Sequence, residues 1–331
     1  MIKFNNLLDQ LRSLGGIAKN IELKYGSNGR GIFAKDPNKA VEFKIPIHLL
    51  APTEWLELDE NEMLIFNDKC TWNEQKKCFF LEYQKHFGWS SVKSEIRTFL
   101  DDIYQLPDNV KNTLIKSLGG GKSFLTKAGA AESFKFYINS RRVSINKRDY
   151  LMPLFELINH DIDGFNDWAK EDSVAIKGKL AAEITTNYNK SFDALDLFMG
   201  YGFTGVCNHA YSGFLTIRRS LNEVIHIGRF TNEYELVDGI SIPKVIKDEG
   251  GLKITFVDMY NPVKPDLPME SFSKLMLKYG VSVTDSAAMF EGIKSQNRKL
   301  YIQLLIELEN HNGNLSNVIK KMACRQLIAL A

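Results

Sequence analysis

Residues 151–161 read "LMPLFELINHD", and six of the first eight are apolar before the chain reaches Asn159 and His160 side by side. A run this apolar is buried, as a strand or a short helix. Taken alone, an Asn-His pair at its end reads as a cap or a loop, because both residues suit turns and termini. The rest of the chain decides whether the pair does more.

Composition sets the frame. The 331 residues are 44% hydrophobic, 25% charged and 11% aromatic, which is the make-up of an ordinary soluble globule with a substantial core. With 42 basic and 40 acidic residues the net charge is +2, and no general case for nucleic acid follows. Cys70, Cys78, Cys207 and Cys324 fit neither a zinc template nor a disulfide framework, so a reducing, cytoplasmic setting is expected and a metal is not. Phe4, Leu7, Leu8, Leu11 and Leu14 stand at helical spacing, so the start of the chain reads as a folded helix rather than a secretory signal. No stretch has the length of a membrane span.

Along the chain, residues 4–14 predict a helix stopped by Gly15-Gly16. Residues 17–50 carry strand and turn punctuation, and 53–133 read as helical, including "EMLIF" at 62–66. The elements shorten around 134–161, and 173–188 suggest a hairpin or two small strands. Residues 213–258 are strand-rich. The Pro-rich joint at 261–268 leads into a helical tail with Thr284 or Asp285 as an N-cap, broken at 310–314. "SLGGGKSF" ends in Gly121-Lys122-Ser123 like a phosphate loop, but Lys116 stands where that pattern needs glycine. No metal-ligating or serine-nucleophile motif occurs either.

Four stretches gain meaning from their order. In "GSNGRGIFAKD" (26–36), Gly29 and Gly31 permit either a tight hairpin turn or close approach of the backbone to a ligand. "FYINSRRVSI" (136–145) brings Ser140-Arg141 after an apolar-alternating piece. Asn159-His160 comes third. Tyr188 and Tyr201-Gly202-Phe203 lie in "NYNKSFDALDLFMGYGF".

This ordered set resembles the SET-domain protein methyltransferases, and more narrowly the branch with the Rubisco large-subunit lysine methyltransferase and the actin-histidine methyltransferase. The resemblance covers roughly residues 4–50 and 134–204. It implies an α+β fold: a core of small twisted sheets with a knot-like crossing, a helical insertion and a mainly helical C-terminal domain. On that reading, residues 1–50 and 134–212 form the core, 51–133 the insertion and 213–331 a substrate-binding domain. The resemblance implies S-adenosylmethionine as cofactor. Gly29, Arg30, Gly31 and Ile32 would touch it from the "GxG" turn, together with Arg141, Asn159, His160, Tyr201 and Phe203. Tyr188 would be the catalytic tyrosine, in a substrate channel shared with Ser140 and Glu156.

The implied activity is methyl transfer to a lysine of a non-histone protein or peptide, with no nucleic-acid or membrane partner. Histidine methylation by the same core, or a catalytically weak protein-interaction module, stay open as alternatives. Two departures from the family stand out. Ala181-Ala182-Glu183 replaces its Gly-acidic-acidic/Gln turn, and "SFDALDL" replaces its Ser-Asn-x-Glu-Leu, leaving Asp193 or Ala194 where the asparagine stands.

Overall fold

Helix α1 (Ile2–Ser13) buries Phe4, Leu7, Leu8 and Leu11, the face that the spacing predicts, and ends at Gly15 with φ +93°. It is the first element of the computed structural model, which describes residues 2–27, 29–119, 126–179, 183–220, 223–229, 234–237, 240–248 and 251–331. Gly121-Lys122-Ser123 and Ala181-Ala182 lie outside the described residues.

Short strands follow: β1 (Ile17–Lys19), β2 (Ile21–Gly26), β3 (Gly29–Ala34), β4 (Ala40–Pro46), β5 (Ala51–Pro52), β6 (Leu56–Leu58) and β7 (Leu64–Phe66). Helices α2 (Glu74–His86), α3 (Trp89–Gln105), α4 (Asp108–Lys111) and α5 (Ala130–Arg141) come next. Then come β8 (Arg142–Ile145), β9 (Arg148–Leu151), β10 (Asn159–Phe165), β11 (Ser173–Lys179) and β12 (Thr185–Thr186). The chain continues through α6 (Ala194–Tyr201), β13 (Leu215–Ser220), β14 (Glu223–Ile227), β15 (Tyr234–Val237), β16 (Ile240–Pro243), β17 (Val245–Asp248) and β18 (Gly251–Ile254). It closes on α7 (Leu267–Leu277), α8 (Val283–Glu307) and α9 (Asn314–Ala329).

The fold is α+β and divides into two units, residues 1–100 with 128–189 and residues 101–127 with 190–331. The first unit is built from small sheets: β1-β4-β11, β2-β3, β5-β9-β8, β6-β7 and the parallel pair β10-β12. Strand β4 shows why they hold together. Val41, Phe43 and Ile45 alternate along it and are fully buried, while their neighbours are not. Phe43 stacks on Phe155 at 5.6 Å, and Phe155 packs on Trp168 at 5.3 Å. The run "LMPLFELI" is therefore a strap through this core, with Leu151, Leu154, Phe155 and Ile158 inaccessible to solvent.

Three local expectations are corrected. Residues 62–66 are not helical: Asp59 Oδ1 accepts from the Asn61 and Met63 amides, and the turn it makes joins β6 to β7. The piece before Ser140 is helix, because Ala130, Ala131 and Glu132 favour one and the Glu132 carboxylate caps the Gly129 amide. Ser140 and Arg141 thus sit in the last turn of α5. The N-cap of α8 is Ser282, whose hydroxyl accepts from Asp285 N.

The second unit carries the sheet β13-β14-β18-β17, the pair β15-β16 and helices α6 to α9. Asp193 caps α6 through the Asp196 amide, 2.9 Å, and also receives the Tyr211 amide, 3.0 Å. Arg229 closes the cluster on both carboxylates, reaching Asp196 at 2.7 Å and making a short pair with Asp193. Burial pushes Asp193 up, but the Arg229 charge together with the hydrogen bonds from Arg229 and from the Tyr211 and Asp196 amides holds this carboxyl below its ordinary value. Burial and the Asp193 charge push Asp196 up to about 7. Replacing Arg229 with Met leaves two enclosed carboxylates without their cation, so Arg229→Met is expected to cost about 3–5 kcal/mol. Urea unfolding should show a larger loss at pH 8 than at pH 5, where the carboxyls take up protons.

Candidate active site

The first unit gathers most of the residues singled out in the sequence. Strands β2 and β3 form a hairpin with Gly26 opposite Gly29, and Gly29 has φ +86°, so the tight-turn reading of these glycines is realised. Gly31 serves the second purpose, close approach. A Cβ there would fall 2.5 Å from Glu183 Oε1 and 2.7 Å from Asn159 Nδ2. Asn159 Nδ2 fills that space, donating to Arg30 O at 3.2 Å and to Glu183 Oε1 at 2.6 Å. Both amide protons are thereby used, and the carboxamide oxygen is left as the acceptor for a ligand.

The segment after Glu183 is held by two strands. Ile184 N donates to Ile32 O at 2.8 Å, and Phe33 bridges Glu183. Thr185 and Thr186 pair in parallel with Asn159 and His160. Ile32 itself is a core side chain with no exposure. This arrangement delivers Tyr188 to the end of the strap. Its hydroxyl donates to Ile158 O at 2.9 Å, and its ring lies 5.1 Å from the His160 ring. Its backbone N–H donates to His160 Nδ1 at 3.2 Å, which requires an unprotonated Nδ1. Burial lowers the His160 pKa, against the opposing Asp161 charge and the Thr186 backbone bond, so the ring is neutral with its proton on Nε2.

The strap reaches Ile158 through a strained turn. Phe155 N donates to Pro153 O at 2.8 Å across Leu154, whose φ of +67° and ψ of −40° make a γ-turn of the disfavoured hand. Such a residue costs about 1–3 kcal/mol and persists only where its surroundings enforce it. Glu156 follows, and its Oε1 accepts from Tyr83 and Tyr137 hydroxyls, each at 2.8 Å. Burial raises the Glu156 pKa, while Arg141, the two hydroxyls and Arg30 pull it back. Arg141 lies over the Tyr137 ring at 4.7 Å and donates to Ser140 Oγ at 2.7 Å. Arg30 donates to Phe87 O at 2.8 Å.

Tyr201 and Phe203 belong to the second unit, where they form a ring cluster with Phe192. They are not among the side chains the first unit gathers. Sequence reasoning passed over Glu183, Tyr83, Gln84 and Tyr137. Glu183 was visible as the one acidic residue in Ala181-Ala182-Glu183; the other three look like ordinary positions in helical segments. Among the described residues, no cluster of three His, Cys, Asp or Glu side chains could hold a metal, and no helix is long and apolar enough to cross a membrane.

No protein-family profile and no curated protein matches this chain. Among solved structures it is similar to the SET domain of LSMT bound to lysine and AdoHcy, at 12% identity and a TM-score of 0.47, over 99% of this chain and 89% of that one. It is also similar to Rubisco LSMT bound to sinefungin and monomethyllysine, at 14% identity and a TM-score of 0.47, over 100% and 90% of the two chains. For Rubisco LSMT bound to AdoMet the values are 12% and 0.45, over 99% and 89%.

Two outcomes test this geometry. Gly31→Ala wedges the Asn159–Glu183 pair apart and is expected to cost about 1–3 kcal/mol in urea unfolding. Adding Asn159→Ala removes the amide from the clash and unties the Glu183 carboxylate so that it can swing aside, so the double variant should be less destabilised than the sum by more than about 0.5 kcal/mol. For His160, the folded-state pKa lies below the ordinary value of about 6.5, so the unfolded chain takes up its proton first as pH falls. The wild type should therefore lose stability below about pH 6.5 relative to His160→Gln, whose amide oxygen accepts the Tyr188 amide without titrating.

Proposed function

We propose that the chain is an S-adenosylmethionine-dependent methyltransferase of the SET type, acting on a lysine side chain of a non-histone protein or peptide. The observation that carries this reading is the meeting of Tyr188, Ile158 O and His160 at the end of the strap, with Asn159 beside them packed onto Gly31 of β3. The residues present fit such a donor. Gly31 lets Asn159 and Glu183 close onto β3, the Asn159 carboxamide offers an acceptor beside Arg30 O, and Arg141 supplies a cation next to the strap. When bound, S-adenosylmethionine supplies a methyl group on a sulfonium, ready for in-line displacement.

What the protein's own residues must do is align an acceptor nitrogen and keep it neutral. A free lysine has a pKa of about 10.4, so its neutral form costs roughly 4–5 kcal/mol at pH 7. Enclosure among apolar groups lowers that cost by disfavouring the ammonium. The Tyr188 proton is committed to Ile158 O, so toward a further group its oxygen can only accept. An acceptor of this kind orients an amine by its N–H bonds and leaves the nitrogen lone pair directed elsewhere, at the methyl group. The neutral His160 adds no positive charge that would repel the donor. The four free thiols accord with a reducing, cytoplasmic setting.

Methyl-labelled S-adenosylmethionine should transfer label to protein in a cell extract or to lysine peptides, and mass spectrometry should place it on lysine. Label on histidine would redirect the reading to the other acceptor, and no label with no heat of cofactor binding would overturn it. Tyr188→Phe should lower kcat by about 100-fold through misalignment. Cofactor affinity should stay within about threefold, because the tyrosine hydroxyl is assigned to the acceptor and not to the donor.

A further inference from the structure

The Glu156 grip is larger than its position in a core calls for. Tyr83 and Tyr137 have no exposure and Gln84 has 1%, yet all three spend polar groups here. The Tyr137 hydroxyl lies 2.6 Å from Gln84 Oε1 and 2.8 Å from Glu156 Oε1, so one proton serves two acceptors. Gln84 Oε1 also receives the Trp89 amide at 2.9 Å. A Cβ on Gly88 would fall 2.2 Å from Gln84 Oε1 and 2.8 Å from the Tyr137 hydroxyl, so the cluster also dictates glycine at the junction of α2 and α3. Glu156 Oε2 and Gln84 Nε2 are enclosed with no hydrogen-bond partner among the described residues. Enclosed, incompletely paired polar groups are costly, and apolar side chains of the same shape would serve stability better. Their arrangement therefore points to alignment.

What they align is the strap. Glu156 sits two residues beyond the strained Leu154, two before the Ile158 carbonyl that takes the Tyr188 hydroxyl, and three before Asn159. We propose that Tyr83, Gln84 and Tyr137 are positioning residues of the transfer site: by gripping Glu156 they hold the Leu154 turn in its disfavoured conformation and so set the Ile158 carbonyl and the Asn159 carboxamide against Tyr188 and Gly31. The grip comes from α2 and α5, outside the turn and strands that carry the site, so α2 contributes to the reaction through a carboxylate rather than through a ligand contact. This inference rests on the methyl-transfer reading.

The test uses the full chain, with S-adenosylhomocysteine as the calorimetric probe and peptide methylation as the assay. Tyr83→Phe/Tyr137→Phe keeps both rings and removes both hydroxyls. Its melting temperature should stay within a few degrees of wild type or rise, while affinity for the probe and kcat each fall about tenfold as the aligned groups drift. The acid limb of probe affinity should also move to higher pH, because the lost hydroxyls favoured the charged carboxylate. A lower melting temperature with unchanged affinity, kcat and pH profile would mean a purely structural cluster and would overturn the inference alone. A wild type that neither binds the probe nor methylates overturns it together with the transfer reading. If the double variant does not fold, Tyr83→Phe and Tyr137→Phe are read singly, each expected to weaken the probe about threefold.

Discussion

The Asn159 carboxamide is the joint on which the first unit's site depends. Its two N–H bonds go to Arg30 O and to Glu183, residues that lie far from it and from each other in the chain. The bond works only because residue 31 has no side chain. One amide thereby ties a hairpin, a buried strap and the segment leading to Tyr188 into a fixed geometry. The pairing of Thr185 and Thr186 with β10 is only two residues long before its register shifts, so it cannot hold that geometry by itself.

The electrostatics follow from the same enclosure. His160 is kept neutral by burial, and its Nδ1 is spoken for by the Tyr188 amide. Glu156 is pushed toward protonation by burial and held back by Arg141 and two tyrosine hydroxyls. Enclosure thus works against charge on both side chains, as it does for any ionisable group taken out of water.

Much of this was readable from residue order. A glycine turn, a Ser-Arg pair, an apolar run ending in Asn-His and a later tyrosine are polar or flexible residues at the ends of buried elements, and such ends are where sites form. The gaps have physical causes. The four apolar residues at 63–66 satisfy either period, and only the Asp59 turn, a matter of two amides donating to one carboxylate, selects the strand. Tyr83, Gln84 and Tyr137 have nothing in their local sequence to distinguish them from core and surface positions of a helix; their role exists only where two helices meet one carboxylate. Glu183 stood in plain view as the acidic residue kept after two alanines, but a lone acid there says nothing of the Asn159 amide that it accepts.

The Asn159–Arg30 bond also spans 129 residues of chain. Contacts this distant in sequence form late in folding, because loop closure must precede them. During synthesis at about 5–20 residues per second, the β2–β3 hairpin waits roughly 6–26 s for the amide that completes it. Through that interval Gly31 lines an unfilled notch on a two-stranded ribbon with open edges. Strands β4 to β9 and helices α2 to α5 are all made in the meantime, so the hairpin is synthesised well before the residue that closes on it.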